Sequence, residues 1–360
     1  MRRLAFLCLL ALSTACSEPP PYAGDWRDLL RGEKDSKFGF VDRSGRFVIA
    51  PTFKFVAPFT EGLAGAYGSG GYGYIDKTGA WVIRPQFGHA WAFSEGLAAI
   101  EDRRRRWGFI DPTGRLVIEP RFDEAHQFVG GLAAVKVGSE WAFIDRSGRF
   151  AFDRRFPDTP NFLYWKSDFS EGVAVVKLKH RHFTLLAPDG GEIASREADE
   201  VHRFRDGLAL VGLPHDDRCH SQVYRYIDKT GAFAFPERFC DARDFSDGMA
   251  QVFAAGKWGY IDKTGAFALE PQFEVTGEFS EGLAPVKRDG RDAHWDYIDK
   301  RGKIVIAAVG DGRADPFERG VAAIDLHAPN GFWAAGARWG YIDRTGRVIG
   351  VFTRGSSRTY

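Results

Sequence analysis

The chain has 360 residues, of which 44% are apolar and 27% charged, a balance that excludes general disorder. Its 49 Lys and Arg face 48 Asp and Glu, so it lacks the basic excess that phosphate binding requires, and no nucleic-acid partner is expected. Glycine is the outlier, at 42 residues where an average share of about 7% gives roughly 25.

The chain opens MRRLAFLCLLALSTAC. Arg2 and Arg3 precede an apolar run from Leu4 to Leu12, and the small residues Ser13, Thr14 and Ala15 lead to Cys16. Nine apolar residues span only about 14 Å as a helix, less than the ~30 Å of a bilayer core, so the segment reads as a cleaved export signal (residues 1–15) and not as a membrane span. The layout resembles a bacterial lipoprotein signal, although Ser13 stands where that pattern prefers an aliphatic residue. The resemblance implies lipidation of Cys16, an envelope location and a membrane contact through the lipid; the alternative is a soluble periplasmic or secreted protein. Residues 16–24, with Pro19, Pro20 and Pro21, read as a short stiff tether.

From residue 25 to 351 one pattern repeats, and residues 352–360 read as a polar tail. An aromatic-Gly-aromatic-Ile-Asp-x-Ser/Thr-Gly motif begins at Phe38, Tyr72, Trp107, Trp141, Tyr224, Trp258, Trp295 and Trp339, with a worn ninth copy from Phe183 to Gly190. Successive copies lie 34, 35, 34, 42, 41, 34, 37 and 44 residues apart, so the unit is 34 residues long with a few stretched intervals. A second motif, Phe-Ser-Glu-Gly-Leu-Ala, has eight copies, starting at Phe59, Phe93, Phe128, Phe169, Phe204, Phe245, Phe279 and Phe317. A third, apolar-x-Pro-x-Phe, follows the first at Ile49, Ile83, Ile118 and Leu269. The nine glycines of the first motif and the eight of the second account for the whole excess.

With Trp107-Gly108, Trp258-Gly259 and Trp339-Gly340, the chain resembles the bacterial WG-repeat (KWG-repeat) family from about Phe38 to Gly350. Gly is lost from the motif at Ala142, Arg225 and Asp296. The resemblance implies a β-rich repeat, often envelope-associated, with no shared catalytic residues and no common ligand.

Each unit predicts three short antiparallel strands. Asp-x-Ser/Thr-Gly supplies the turn between the second and third, with Gly in the left-handed position. The third strand alternates large and small apolar residues, as Trp81, Val82 and Ile83, which predicts cover on both faces. The Pro that follows is expected to end it. One unit cannot cover its own sheet, so units must stack. The fold expected is all-β, nine units forming a stacked solenoid or toroid; the alternative is a closed propeller-like ring.

The repeated acids, Asp42 to Asp343 and the Glu of the second motif, serve the unit and are not expected to be catalytic. Arg103 to Arg106 read as a solvated hairpin loop. His215-Asp216-Asp217-Arg218-Cys219-His220 match no zinc spacing. No metal site, cofactor or enzymatic motif is expected. The stretched intervals carry the individual features: Phe162, Tyr164 and Trp165 in one, Phe332 and Trp333 in another, are candidate partner-binding aromatics that could equally cover a stack end. Cys219 and Cys240 flank one turn, at positions that a two-residue loop at Lys229-Thr230 would place opposite, which predicts a disulfide. The reading is a non-enzymatic, envelope-tethered scaffold that binds an envelope protein or a cell-wall glycan. The alternative is a glycan hydrolase using Asp158 with Asp168, or Asp311 with Asp315.

Overall fold

The computed structural model describes residues 23–157, 169–179, 181–217, 219, 222–288, 294–310, 312–327 and 336–353. Among these, the strands form nine antiparallel sheets of three or four strands, one per repeat, numbered here as units 1 to 9. In unit 3, Ala98–Glu101 pairs with Trp107–Ile110, and that strand with Leu116–Phe122. A two-residue strand, His89–Ala90, adds to the free side of Ala98–Glu101. Such short strands, as Glu124–Ala125, Asp241–Ala242 and Val275–Thr276, carry no periodicity and were not expected from the sequence. The last strand, Val348–Thr353, holds the buried Phe352, so the repeat body extends into what reads as tail.

The turns follow from their chemistry. Asp262 Oδ1 accepts Thr264 N–H at 2.8 Å, the Thr264 hydroxyl at 2.6 Å and Ala266 N–H at 3.3 Å. All seventeen glycines of the two main motifs lie at φ between +77° and +87°. The second motif is itself a two-residue hairpin turn: Thr60 and Leu63 exchange hydrogen bonds around Glu61 and Gly62, both at positive φ.

Two expectations for the third strand are corrected. It is the exposed edge of its sheet: Val82 is 44% and Val117 38% exposed, and only Ile83 and Ile118 are deeply buried in their strands before the final Phe. Nor does its Pro end it. Trp81–Phe87 runs through Pro85, with the register shifting between the Tyr74–Ile83 and Tyr72–Phe87 pairs, so the Pro sits in a bulge on an edge, where its missing N–H costs nothing. The bulge presses on the preceding strand. A Cβ on Gly73 would lie 2.4 Å from the carbonyl oxygen of Ile83, and one on Gly259 2.7 Å from that of Leu269. The Gly between the aromatics is thus a close-approach residue. Where it is lost at Ala142, the third strand is reduced to Phe156–Pro157 and a bridge at Phe150, whereas at Asp296 the strand Ile304–Val309 persists without a Pro, Ala308 N–H donating to Asp296 Oδ1 at 2.9 Å.

Each sheet meets the next through repeated contacts. The turn glycine of a unit packs on the third strand of the unit before: Gly79 on Ile49, Gly114 on Ile83, Gly148 on Ile118, Gly302 on Leu269, Gly346 on Ile306. The phenylalanine of the second motif seats against the second-strand ring of the unit before, with centroids 4.6–5.0 Å apart in Phe40–Phe59, Tyr74–Phe93, Phe109–Phe128, Phe143–Phe169, Tyr226–Phe245, Tyr260–Phe279 and Tyr297–Phe317. Phe204 seats likewise on Leu185 in the worn unit 5. The motif's acid accepts the N–H of the next unit's glycine, as Glu95 from Gly130 at 2.7 Å and Asp247 from Gly282 at 2.6 Å.

The series closes on itself. Gly45 of unit 1 packs on Gly350 of unit 9, and Phe47 meets Phe352 with centroids 6.1 Å apart. Arg43 Nη2 donates to the Arg319 carbonyl, repeating the bond from Arg344 to the Glu281 carbonyl one seam earlier. Of the forms the repeat allows, the molecule takes the closed, propeller-like ring and not the open solenoid.

Two outcomes follow from these contacts. Gly265 has φ +86° and a Cβ there would stand 2.7 Å from the Phe235 ring, whereas Ala266 is exposed. Gly265→Val is therefore expected to destabilise by about 1–3 kcal/mol more than Ala266→Val in denaturant titrations; equal midpoints would contradict the turn. Between units 6 and 7, His202 Nδ1 lies 2.7 Å from Asp244 Oδ1. Burial lowers the imidazole pKa, but the Asp244 and Glu200 carboxylates outweigh it and raise it to about 9. A raised folded pKa gives stability that is full below the unfolded value near 6.5 and is lost as pH rises through about 9. His202→Leu should thus cost on the order of 1–3 kcal/mol at pH 6 and distinctly less at pH 9.5, measured as the difference from wild type. A pH-independent difference would contradict this.

Candidate functional site

Several residues singled out in the sequence, Cys16, Phe162, Tyr164, Trp165, Phe332 and Trp333, lie outside the described residues, as do Asp158, Asp168 and Asp311. Asp315 is described, and its nearest charged partner is Arg313, not a second acid. Its carboxyl is raised by burial, against the pull of Arg313. Arg103 to Arg106 form an exposed hairpin turn, tied by Arg106 to Asp123 and by Arg105 to Glu101. Among the described residues no group of three or more His, Cys, Asp or Glu could hold a metal.

Cys219 and Cys240 are joined by a disulfide, with Cα atoms 5.1 Å apart. The register that suggested it differs from the one observed. Ile227 bridges Phe233 and Tyr224 bridges Phe239, so the pairing slips by three residues at the bulge, and the bond closes beyond the strand Gln222–Ile227.

The repeated acids are structural. Asp343 is drawn to about 2 by the Thr345 hydroxyl, the Thr345 and Arg347 N–H groups and the Arg347 guanidinium. An acid held so far ionised, with its oxygens committed to a turn, is neither a proton donor nor a free base at neutral pH.

What distinguishes one place from the rest is the seam between units 9 and 1. Unit 9 presents Tyr341 on its second strand, but the position in unit 1 that matches Phe59 of unit 2 is Asp25. Asp25 instead caps a short 3-10 helix, Trp26–Asp28, through Arg27 N–H. Among the described residues no second-motif phenylalanine seats on Tyr341 as Phe317 seats on Tyr297; its ring contacts are Trp339 and Phe352. The tyrosine hydroxyl is displaced as well. Tyr74, Tyr226, Tyr260 and Tyr297 are fully buried and donate at 2.6–2.8 Å to the carbonyl two residues before the next unit's Phe. Tyr341 is only partly buried and donates at 3.2 Å to Arg31, on the strand Leu30–Lys34. A cavity of about 550 Å³ opens there, floored by Phe38, Phe40, Trp339 and Tyr341. Four arginines, Arg27, Arg31, Arg313 and Arg319, and four acids, Glu33, Asp315, Glu318 and Asp325, line it; Arg27 is paired to Asp25, Arg313 to Asp315 and, at 3.8 Å, Arg319 to Glu318. Arg319 occupies the place of the acid that other units use to hold the next glycine. The sequence carried this signal as an inequality, nine copies of the first motif and eight of the second, which sequence reasoning did not connect to a site.

A family model described as WG containing repeat matches residues 38–66, 72–103, 107–141, 224–258 and 258–291. No curated protein matches the sequence. Among solved structures the chain is similar to the crystal structure of a eukaryotic initiation factor, at 13% identity and a TM-score of 0.60, over 83% of this chain and 86% of that one. It is also similar to the computationally designed Ika8 protein (12% identity, TM-score 0.45, 83% and 95% covered) and to BamB from Moraxella catarrhalis (11%, 0.44, 83% and 96%). At such identities only the fold is shared. With five matched repeats, each running from the second strand of one sheet into the first strand of the next, the chain is a WG-repeat protein.

Proposed function

We propose that this WG-repeat protein is a non-enzymatic, envelope-tethered scaffold that holds a rigid ring near a bacterial membrane and binds an envelope protein or a cell-wall glycan there. The observation that carries the reading is the division of labour in the ring: the repeated polar groups are consumed in turns and in contacts between sheets, and one seam departs from the pattern. A molecule built this way offers a surface and one individual feature, not a constellation of reactive groups. The Cys219–Cys240 disulfide is consistent with an oxidising, extracytoplasmic compartment. No helix among the described residues is long and apolar enough to cross a membrane; the tether in this reading is the lipid on Cys16. One acyl chain anchors only marginally, so the anchor carries more than one.

Two measurements test this. Cys16→Ala should abolish fatty-acid labelling and release the protein from membranes; wild-type protein found soluble with a free N-terminus would contradict the anchor. The purified mature protein should bind envelope material saturably, either cell-wall glycan in co-sedimentation or one envelope protein in crosslinking, and leave it chemically unchanged. Release of glycan fragments that stops on Asp315→Asn would replace the scaffold with a hydrolase.

A further inference from the structure

We infer that the seam between units 9 and 1 is a docking slot for an extended, acidic peptide segment of another protein, which inserts one phenylalanine against Tyr341. The inference rests on the scaffold reading and names its partner chemistry. The ring itself supplies the template. At seven of the eight other seams a segment of the later unit pairs briefly with that unit's first strand, places a Phe three residues on, and seats the Phe on the second strand of the unit before; in unit 5 the residues before Phe169 lie outside the described ones. In unit 8 this segment is Val275–Thr276 followed by Phe279, with Thr276 paired to Val286.

At the ninth seam, among the described residues, each part of that segment is missing and each of its receptors is present. The strand Leu30–Lys34 is the edge of its sheet among the described residues, where the equivalent Ala98–Glu101 is covered by His89–Ala90. The second-strand ring, Tyr341, is in place without its Phe. The cavity of about 550 Å³ lies between them and is larger than one phenylalanine side chain needs. Among the described residues Asp25 stands at the Phe position and is held outward by its bonds to Arg27, and in the sequence the residue four before it is Pro21, which has no N–H to donate.

The chemistry of the occupant follows from the walls. Pairing to an open strand edge requires an extended backbone, and supplies affinity through main-chain hydrogen bonds. The aromatic floor selects one Phe. Of the arginines at the mouth, Arg27 and Arg313 are paired within the wall to Asp25 and Asp315, which leaves Arg31 and the loosely paired Arg319, 3.8 Å from Glu318, to meet carboxylates on the flanking residues, as the unit 8 segment carries at Glu274, Glu278 and Glu281 around Phe279.

The test uses the mature chain from Ser17 to Tyr360 and a capped octapeptide, EVTGEFSE, with the sequence of residues 274–281. Calorimetry should show saturable binding of one peptide per chain. The peptide with Phe replaced by Ala should bind at least tenfold more weakly. Asp25→Phe, which places the missing ring in the chain itself, should weaken peptide binding at least tenfold. Arg319→Glu should weaken it while leaving the melting temperature near wild type, which separates lost recognition from lost folding. Absence of binding, equal binding of the Phe and Ala peptides, or undiminished binding by both chain variants would each overturn the slot. Binding by a chain starting at Ala23 but not by one starting at Ser17 would also overturn it, because the tether would then fill the seam. If the slot fails while the mature protein still binds envelope material, the scaffold reading stands; if neither binds, both fall.

Discussion

The ring depends on one contact made over and over: a phenylalanine of one unit seated on the second-strand side chain of the unit before. Each sheet is too small to bury its own faces, so its stability is borrowed from its neighbours, and a 4.6–5.0 Å aromatic contact in a dry seam is where that cohesion concentrates. Such pairs are worth about 0.5–1.5 kcal/mol each beyond the area they bury. Around the ring they act in series, and the molecule is as strong as its weakest seam. Eight seams are built this way. The ninth is held by Gly45 on Gly350, Phe47 against Phe352 and Arg43 on the Arg319 carbonyl, with no second-motif phenylalanine among the described residues seated on Tyr341.

The same logic explains an apparent misfit in the second motif. A two-residue hairpin turn with both residues at positive φ favours Asn-Gly, yet Glu61, Glu95, Glu171 and Glu281 sit at φ 50–53°. An L-residue there costs about 1–2 kcal/mol. The acid is retained because its carboxylate reaches the next unit: Glu95 takes the N–H groups of Gly130 and Gly131, and Glu171 takes that of Gly207. Local strain is exchanged for a bond between sheets. In unit 4, where Gly130 replaces the acid, the strain and the bond disappear together, and Phe169 packs against that glycine instead.

Much of this was legible in the sequence. Period, unit count and the Asp-x-Ser/Thr-Gly turns are set by local chemistry, so Asp262 and Gly265 could be placed without coordinates. The third strand was misread because alternating Trp81, Val82 and Ile83 looks the same on a covered strand and on an exposed edge; only the neighbouring sheets decide which. The disulfide was found through a register that the bulge displaces, since a bulge leaves no mark on residue spacing near Cys219. The closure stood in the sequence only as one of the alternatives, because Gly45 and Gly350 become neighbours only when nine small rotations add to a full turn. The seam was present only as a missing Phe, and an absence becomes a site once the surrounding walls are seen.

The most direct test of the account is residue-resolved hydrogen exchange on the free mature protein, comparing equivalent first strands around the ring. If the seated phenylalanine is what secures each seam, the amides of Leu30–Lys34 should exchange faster than those of Ala98–Glu101 and Leu283–Lys287, which lie behind intact seams. Equal protection of the three strands would contradict the central claim, because the ring would then be held as firmly where the phenylalanine is missing as where it is present.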